Sequence, residues 1–233
     1  MINAIELNGV TKEYNNFTLD NVSFQVPRGC IMGLIGENGA GKTTTLKAIL
    51  NLIHINSGNI KVLGIDSVKD EKKIKEQIGV VFDESCFHDN LTVTQISKIM
   101  GNIYSTWQAD VFEQYVTRFK LPKDKMIKEY SRGMKTKLSI AAALSHNANL
   151  LILDEATSGL DPVVRNEILD IFMDFIQDEN HSILLSSHIT SDLEKIADYI
   201  TFIHKGKIIF SKPKDDLIDN YGVVRCGADE YKR

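Results

Sequence analysis

The sequence predicts an α/β fold: a mostly parallel sheet covered by helices, with an N-terminal antiparallel β subdomain and an inserted helical subdomain. Three observations predict it. Short runs such as Leu150-Leu151-Ile152-Leu153 are apolar throughout, as strands covered on both faces must be. Helix-start signals recur between those runs. From about Leu91 to Ala143 the strand pattern gives way to a mostly helical block.

The elements follow in order. Ile2–Leu7, Phe17–Leu19 and Val22–Val26 read as short strands, with Pro27-Arg28-Gly29 as a turn. Ile31–Ile35 is a buried strand, and Thr43 to Leu52 a helix. Ser57-Gly58 precedes an alternating strand, Asn59–Leu63. Lys69-Asp70-Glu71-Lys72-Lys73 mixes charge signs at helical spacing and reads as a solvated helix face. Ile78–Phe82 is another apolar strand. Thr92-Val93-Thr94-Gln95 is a capping box that opens a helix toward Trp107. Pro122 interrupts, and Ser131 caps a helix running to about Ser145. After Leu150–Leu153, Asp161-Pro162 supplies an N-cap and a proline at the first helical position, for a helix to about Gln177. Ser182–Ser186, Tyr199–Ile203 and Ile208–Phe210 are strands, and Ser191-Asp192-Leu193-Glu194 is a second capping box. We read residues 1–233 as one domain. Its core spans 1–83 and 147–233, and the helical subdomain spans 84–146.

Composition narrows the function classes. The chain has 233 residues, 43% of them apolar and 25% charged, enough to bury a core. A net charge of −4 does not suit a nucleic-acid binder. No apolar run approaches the ~20 residues of a membrane span. The N-terminus lacks the basic start and apolar stretch of a signal peptide, so a cytoplasmic protein is expected. Cys30, Cys86 and Cys226 are far apart and show no metal-binding spacing. N-x-[ST] matches at Asn16, Asn21 and Asn90 carry no meaning without secretion.

The chemistry centres on Gly36-Glu37-Asn38-Gly39-Ala40-Gly41-Lys42-Thr43-Thr44. It fits G-x-x-x-x-G-K-[ST], a P-loop, and it lies between a strand and a helix as a P-loop must. Glycines let successive N–H groups turn toward anionic oxygens, and the helix N-terminus adds its dipole. Lys42 would reach the β- and γ-phosphates of a nucleoside triphosphate, and the Thr43 hydroxyl would ligate Mg²⁺. Asp154 ends the strand Leu150–Leu153. Strand ends of open α/β sheets face the ligand, so Asp154 lies where a carboxylate can hold Mg²⁺. Glu155 follows, placed to orient or deprotonate an attacking water. His188 closes the next apolar strand at the same edge, within reach of the γ-phosphate.

Together these residues resemble the nucleotide-binding domain of ABC transporters over nearly the whole chain. Gly36–Thr43 matches the Walker A motif, Leu150–Asp154 Walker B, Glu155 the catalytic glutamate, Ser158-Gly159-Leu160-Asp161 the D-loop and His188 the switch histidine. Tyr14 stands where the family stacks an aromatic on adenine. Tyr130-Ser131-Arg132-Gly133-Met134 takes the place of the signature, normally LSGGQ. Its form, with Arg132 and Met134 in place of glycine and glutamine, resembles bacterial ABC-2-type exporters. The resemblance implies a subunit that binds and hydrolyses ATP with Mg²⁺, as a homodimer or as a heterodimer with a paralogue. Ser131, Arg132, Gly133 and Met134 would then act on ATP held by the opposite chain. It also implies an integral-membrane permease partner, no nucleic acid, and a place on the inner face of the cell membrane. Phe87 and Leu91 resemble the family's dock for that permease. One departure is Asp83-Glu84, where the family has a glutamine after the strand Ile78–Phe82; Asp83 remains an oxygen ligand for Mg²⁺.

The rival reading is a soluble ATPase of the same superfamily acting in DNA repair or translation. A repair protein needs long heptad coils between the Walker motifs, and a translational one needs two such domains. This chain has a compact block and one domain. A kinase or GTPase of the wider P-loop class would carry neither Ser131–Met134 nor His188.

Overall fold

The computed structural model describes residues 3–83, 86–220 and 222. Two sheets organise them. A four-stranded antiparallel sheet has the order β2-β1-β4-β5. Its strands are β1 (Asn3–Tyr14), β2 (Phe17–Pro27), β4 (Ser57–Val62) and β5 (Ile65–Asp66). A six-stranded sheet has the order β10-β9-β3-β8-β7-β6. It contains β3 (Ile31–Ile35), β6 (Ile78–Val81), β7 (Leu150–Asp154), β8 (Ser182–Ser187), β9 (Tyr199–His204) and β10 (Lys207–Pro213). Only its β9–β10 edge pair is antiparallel. The expected architecture is present.

Every residue of β7 and β8 is buried, which explains their unbroken apolar sequence. Strand alternation divides their side chains between two cores. Leu151, Leu153, Ile183 and Leu185 join the cluster that also holds Phe112, Val116 and Leu138 of the helical block. Leu150, Ile152 and Leu184 join the cluster beneath the antiparallel sheet, with Met32, Leu34, Leu46 and Ile49. Parallel register sets Ile35 opposite Ser187 and Asp154 opposite Ser186. The carboxyl ends of β3, β7 and β8 therefore form one edge.

The helices are α1 (Lys42–Ile49), α2 (Glu71–Lys75), α3 (Val93–Ile103), α4 (Ala109–Arg118), α5 (Arg132–Leu144), α6 (Pro162–Phe175), α7 (Thr190–Ile196) and α8 (Lys214–Asn220). The Thr92–Gln95 capping box forms, Ser131 accepts from the Met134 N–H, and Asp161 caps α6. Several expectations need correction. The β1 and β2 strands run past the polar residues that read as breaks, because their antiparallel ladder absorbs register shifts around Gly9 and Asn21. The α3 helix stops at Ile103, and Trp107 instead packs on Phe112 with ring centroids 5.1 Å apart. The α7 helix begins at Thr190 with Ile189 in the cap position, so the Ser191–Glu194 capping box does not form. Strand β5 and helix α8 had no distinct sequence signal. Ile2, Glu84 and Cys226 lie outside the described residues.

Candidate active site

The P-loop joins β3 to α1 along the edge just described. Its backbone needs glycine at two points. Gly41 has φ of 113°, a left-handed conformation that a side chain resists. At Gly36 a Cβ would sit 2.4 Å from the carbonyl oxygen of Ile203 on β9. The loop and β9 therefore pack backbone against backbone.

Lys42, the first residue of α1, is only 6% exposed. Its ammonium donates to the carbonyls of Gly36 at 2.8 Å and Glu37 at 3.4 Å, and lies 3.4 Å from Glu155 Oε1. These contacts hold the cation curled over its own loop. The Thr43 hydroxyl donates to Asp154 Oδ2 at 2.8 Å, and Ser186 on β8 donates to Asp154 Oδ1. Sequence reading missed Ser186; its signal was the polar pair ending an otherwise apolar strand. Asp154 is thus fixed from both sides, one oxygen toward the P-loop.

Glu155 leaves β7 with φ of 51°, in the left-handed region. Its N–H donates to the Ser186 carbonyl at 3.1 Å, which holds that turn. Its side chain is 15% exposed and links two groups: Oε1 faces Lys42, and His188 Nδ1 donates to Oε2 at 2.7 Å. His188 itself is half-exposed. Lys42, Glu155 and His188 form one connected chain at the sheet edge. Such a chain can hold an anion at Lys42 and position a base and an imidazole beside it.

A cleft of about 570 Å³ opens over these groups. Glu37, Asn38, Gly39, Gly41, Lys42, Thr43, Thr44, Asp83, Asp154 and Glu155 line it, joined by Asn16 and Phe17. Gly36 and the buried Ala40 complete the loop from beneath. Tyr14 is 46% exposed at the end of β1, its ring 6.5 Å from that of Phe17. It is Phe17, unremarked in the sequence reading, that contributes an aromatic wall.

Asp83 faces the cleft but is ion-paired with Arg132. Ser131, Arg132, Gly133 and Met134 line a separate pocket of about 500 Å³ with Gly159, Leu160 and Asp161. Ser131, Gly133 and Met134 therefore lie away from their own chain's P-loop, and Arg132 reaches the edge of its cleft only through Asp83. An apolar groove of about 460 Å³ lies between the exit of β6 and α3, lined by Phe82, Phe87, Leu91, Ile99, Met100 and Ile103 among others. At its floor His146 is buried, stacked on Tyr104 at 4.0 Å, with Nε2 3.0 Å from the Ile78 carbonyl. Burial pushes the His146 pKa down, partly offset by its backbone hydrogen bonds.

Among the described residues no group of three or more His, Cys, Asp or Glu is arranged to hold a metal ion. The Thr43 and Asp154 oxygens nevertheless suit Mg²⁺, which takes few protein ligands beside phosphates and waters. Among the described residues, no helix is long and apolar enough to cross a membrane.

The sequence pattern of the ABC transporter family matches residues 19–158. The chain is 35% identical over 220 residues to the bacitracin transport ATP-binding protein of Bacillus licheniformis, covering 93% of this chain and 72% of that one. It is also 35% identical to the lantibiotic transport ATP-binding protein of Streptococcus pyogenes, over 91% of each. The fold superposes on a solved ATP-binding subunit of an ABC transporter with a TM-score of 0.85 and 26% identity, over 98% of both chains.

Proposed function

The chain belongs to the ABC transporter family, and on that premise we propose that it is the ATP-hydrolysing subunit of an ABC-2-type exporter. It dimerises around ATP and drives a separate membrane permease. The observation that carries this reading is the connected set Lys42, Glu155 and His188 beside the Thr43–Asp154 pair.

The mechanism follows from the contacts. P-loop N–H groups and the α1 N-terminus receive the β- and γ-phosphates. The phosphates compete with Glu155 for Lys42. That frees the carboxylate, still held by His188, to orient a water and take its proton. His188 acts on the γ-phosphate as charge develops. Thr43 and Asp154 would hold Mg²⁺, with Asp83 as a further oxygen; when bound, the ion draws charge from the phosphate oxygens. The base is accommodated near Phe17 and Tyr14 at the cleft's outer end. Ser131, Arg132, Gly133 and Met134 reach the ATP of a second copy; their own chain holds Ser131, Gly133 and Met134 in a different pocket and ties Arg132 to Asp83. A second copy supplies two such composite sites; a paralogue is the other form of the same arrangement. The apolar groove beside α3 receives a helix of the permease, which places the chain on the cytoplasmic face of the membrane and leaves the choice of cargo to the permease. The matched relatives are transport proteins, and a compact helical block stands between the Walker motifs. Neither feature supports the DNA-repair or translation alternative.

The test is hydrolysis by purified full-length chain, with ATP and GTP compared. Lys42→Ala should abolish turnover. Glu155→Gln should keep ATP binding while turnover falls by about 10²-fold or more, since an amide accepts no proton. Near-parental turnover by Lys42→Ala would overturn the reading.

A further inference from the structure

Asp192 is a charged residue with no place in the mechanism above. It lies in the first turn of α7, four residues after His188, and is 1% exposed. Its Oδ2 is buried without a hydrogen-bond partner and faces Arg165 Nε, which is equally unpartnered, across 3.9 Å. That separation is an ion-pair distance, too long for a hydrogen bond. Arg165 comes from α6, and its Nη2 donates to the carbonyl of Leu160 at 3.1 Å. One guanidinium therefore touches the Ser158–Asp161 loop with one edge and faces the start of α7 with the other. A second link between the same helices, Lys195 to Asn166 at 2.9 Å, lies alongside.

The Asp192 carboxylate is buried and the Arg165 Nε that faces it is shielded, although the Arg165 side chain as a whole is 25% exposed. A carboxylate and an N–H held just short of hydrogen bonding there are costly as they stand. They gain a bond if α6 and α7 approach by under about 1 Å. Fork-like donors such as guanidinium respond sharply to that geometry. The two loops joined by Arg165 are the ones that matter on the proposed reading. The Ser158–Asp161 loop shares a pocket with the signature, and His188 holds Glu155.

We propose that Arg165 and Asp192 are positioning residues that transmit contact at the Ser158–Asp161 loop to His188. Engagement of that loop by a second copy draws Arg165 onto Asp192, shifts the start of α7, and sets His188 and Glu155 for hydrolysis. This inference rests on the proposed function and extends it, since it assigns the link between the two loops.

The experiment separates positioning from support. Where the carboxylate of an ion pair is buried, replacing both partners by apolar residues of similar size leaves stability near the parent, whereas losing only the cation strands the buried charge and destabilises. Arg165→Met with Asp192→Leu, in the full chain, should therefore unfold thermally near the parent. Its kcat should nevertheless fall by about tenfold, with the ATP KM within about twofold. Arg165→Lys, which keeps the charge but not the fork, should lose kcat at nearly parental stability. Because Arg165 acts through His188, Arg165→Lys in a His188→Ala background should cause no further loss. Parental kcat in either folded variant, or additive losses with His188→Ala, would overturn the link alone. A parent chain that does not hydrolyse ATP would remove the reading beneath it and the link as well.

Discussion

In the P-loop cleft the charges close on one another. Lys42 meets Glu155, Glu155 meets His188, and Asp154 takes bonds from Thr43 and Ser186. At the first turn of α5 the arrangement is different. That turn holds no acidic residue, and Arg132 and Lys135 stand at the helix's positive end. Their counter-charges, Asp83 and Asp89, come from the segment after β6. Lys42, Asp154, Glu155 and His188 thus find partners within the cleft, whereas Arg132 takes its partner, Asp83, from the cleft's rim and Lys135 takes Asp89. On the proposed reading both surfaces meet an anion, but differently. At the P-loop the phosphates compete with Glu155 for Lys42, whereas at the α5 end the exposed pairs with Asp83 and Asp89 leave the helix N-terminus open to the triphosphate of a second copy.

The strongest way to break this comparison is to mix two dead variants. Lys42→Ala and Ser131→Arg should each lose nearly all ATP turnover alone. On mixing with subunit exchange, random pairing restores one intact composite site in half of the dimers, so roughly a quarter of parental sites should return. No recovery from folded, exchanging chains would show that the signature face does not serve a second copy of this chain.

A smaller effect tests whether the borrowed charge is exchangeable. The Asp83–Arg132 pair is solvent-exposed on both sides, so Arg132→Gly or Asp83→Asn should each change urea-unfolding stability by under about 1 kcal/mol. A double-mutant cycle should find coupling of a few tenths of a kcal/mol. Coupling above about 2 kcal/mol would make the pair a fixed structural tie.

The smallest effect concerns how the helical block meets the sheet, where His146 lies between α5 and the Ile78 carbonyl of β6. Burial lowers its pKa below the usual 6.5, so the unfolded chain binds a proton more readily. The contribution is fully present above about pH 6.5 and is lost as pH falls toward the lowered folded value. Urea midpoints between pH 7.5 and 5.5 should decline for the parent, with a shallower slope for His146→Gln. Equal slopes would assign the decline to other groups.

The sheet and the P-loop were legible because their signals are local. Continuous apolar runs mark β7 and β8, and Gly36–Thr43 contains its own reason for curling. Helix starts at Thr92, Ser131 and Asp161 were readable for the same cause, a side chain that caps its own helix. What was not legible depends on residues distant in sequence. The Asp83–Arg132 pair spans 49 positions, and Ser186 reaches Asp154 across 32. Phe17 lines the cleft because the β1–β2 turn folds over the P-loop, where a Cβ on Gly41 would lie 2.9 Å from its ring. The Ser191–Glu194 pattern failed because α7 begins earlier, at Thr190.

The left-handed backbone at Glu155 has a consequence for how this protein can change. A residue with a side chain held at φ of 51° costs about 1 kcal/mol that glycine would not. Substitution toward glycine there would relax the chain while removing the carboxylate that the mechanism requires. Drift under selection for folding alone would therefore tend to erase hydrolysis. Glu155→Gly should accordingly gain about 1 kcal/mol in urea unfolding while its ATP turnover falls to background.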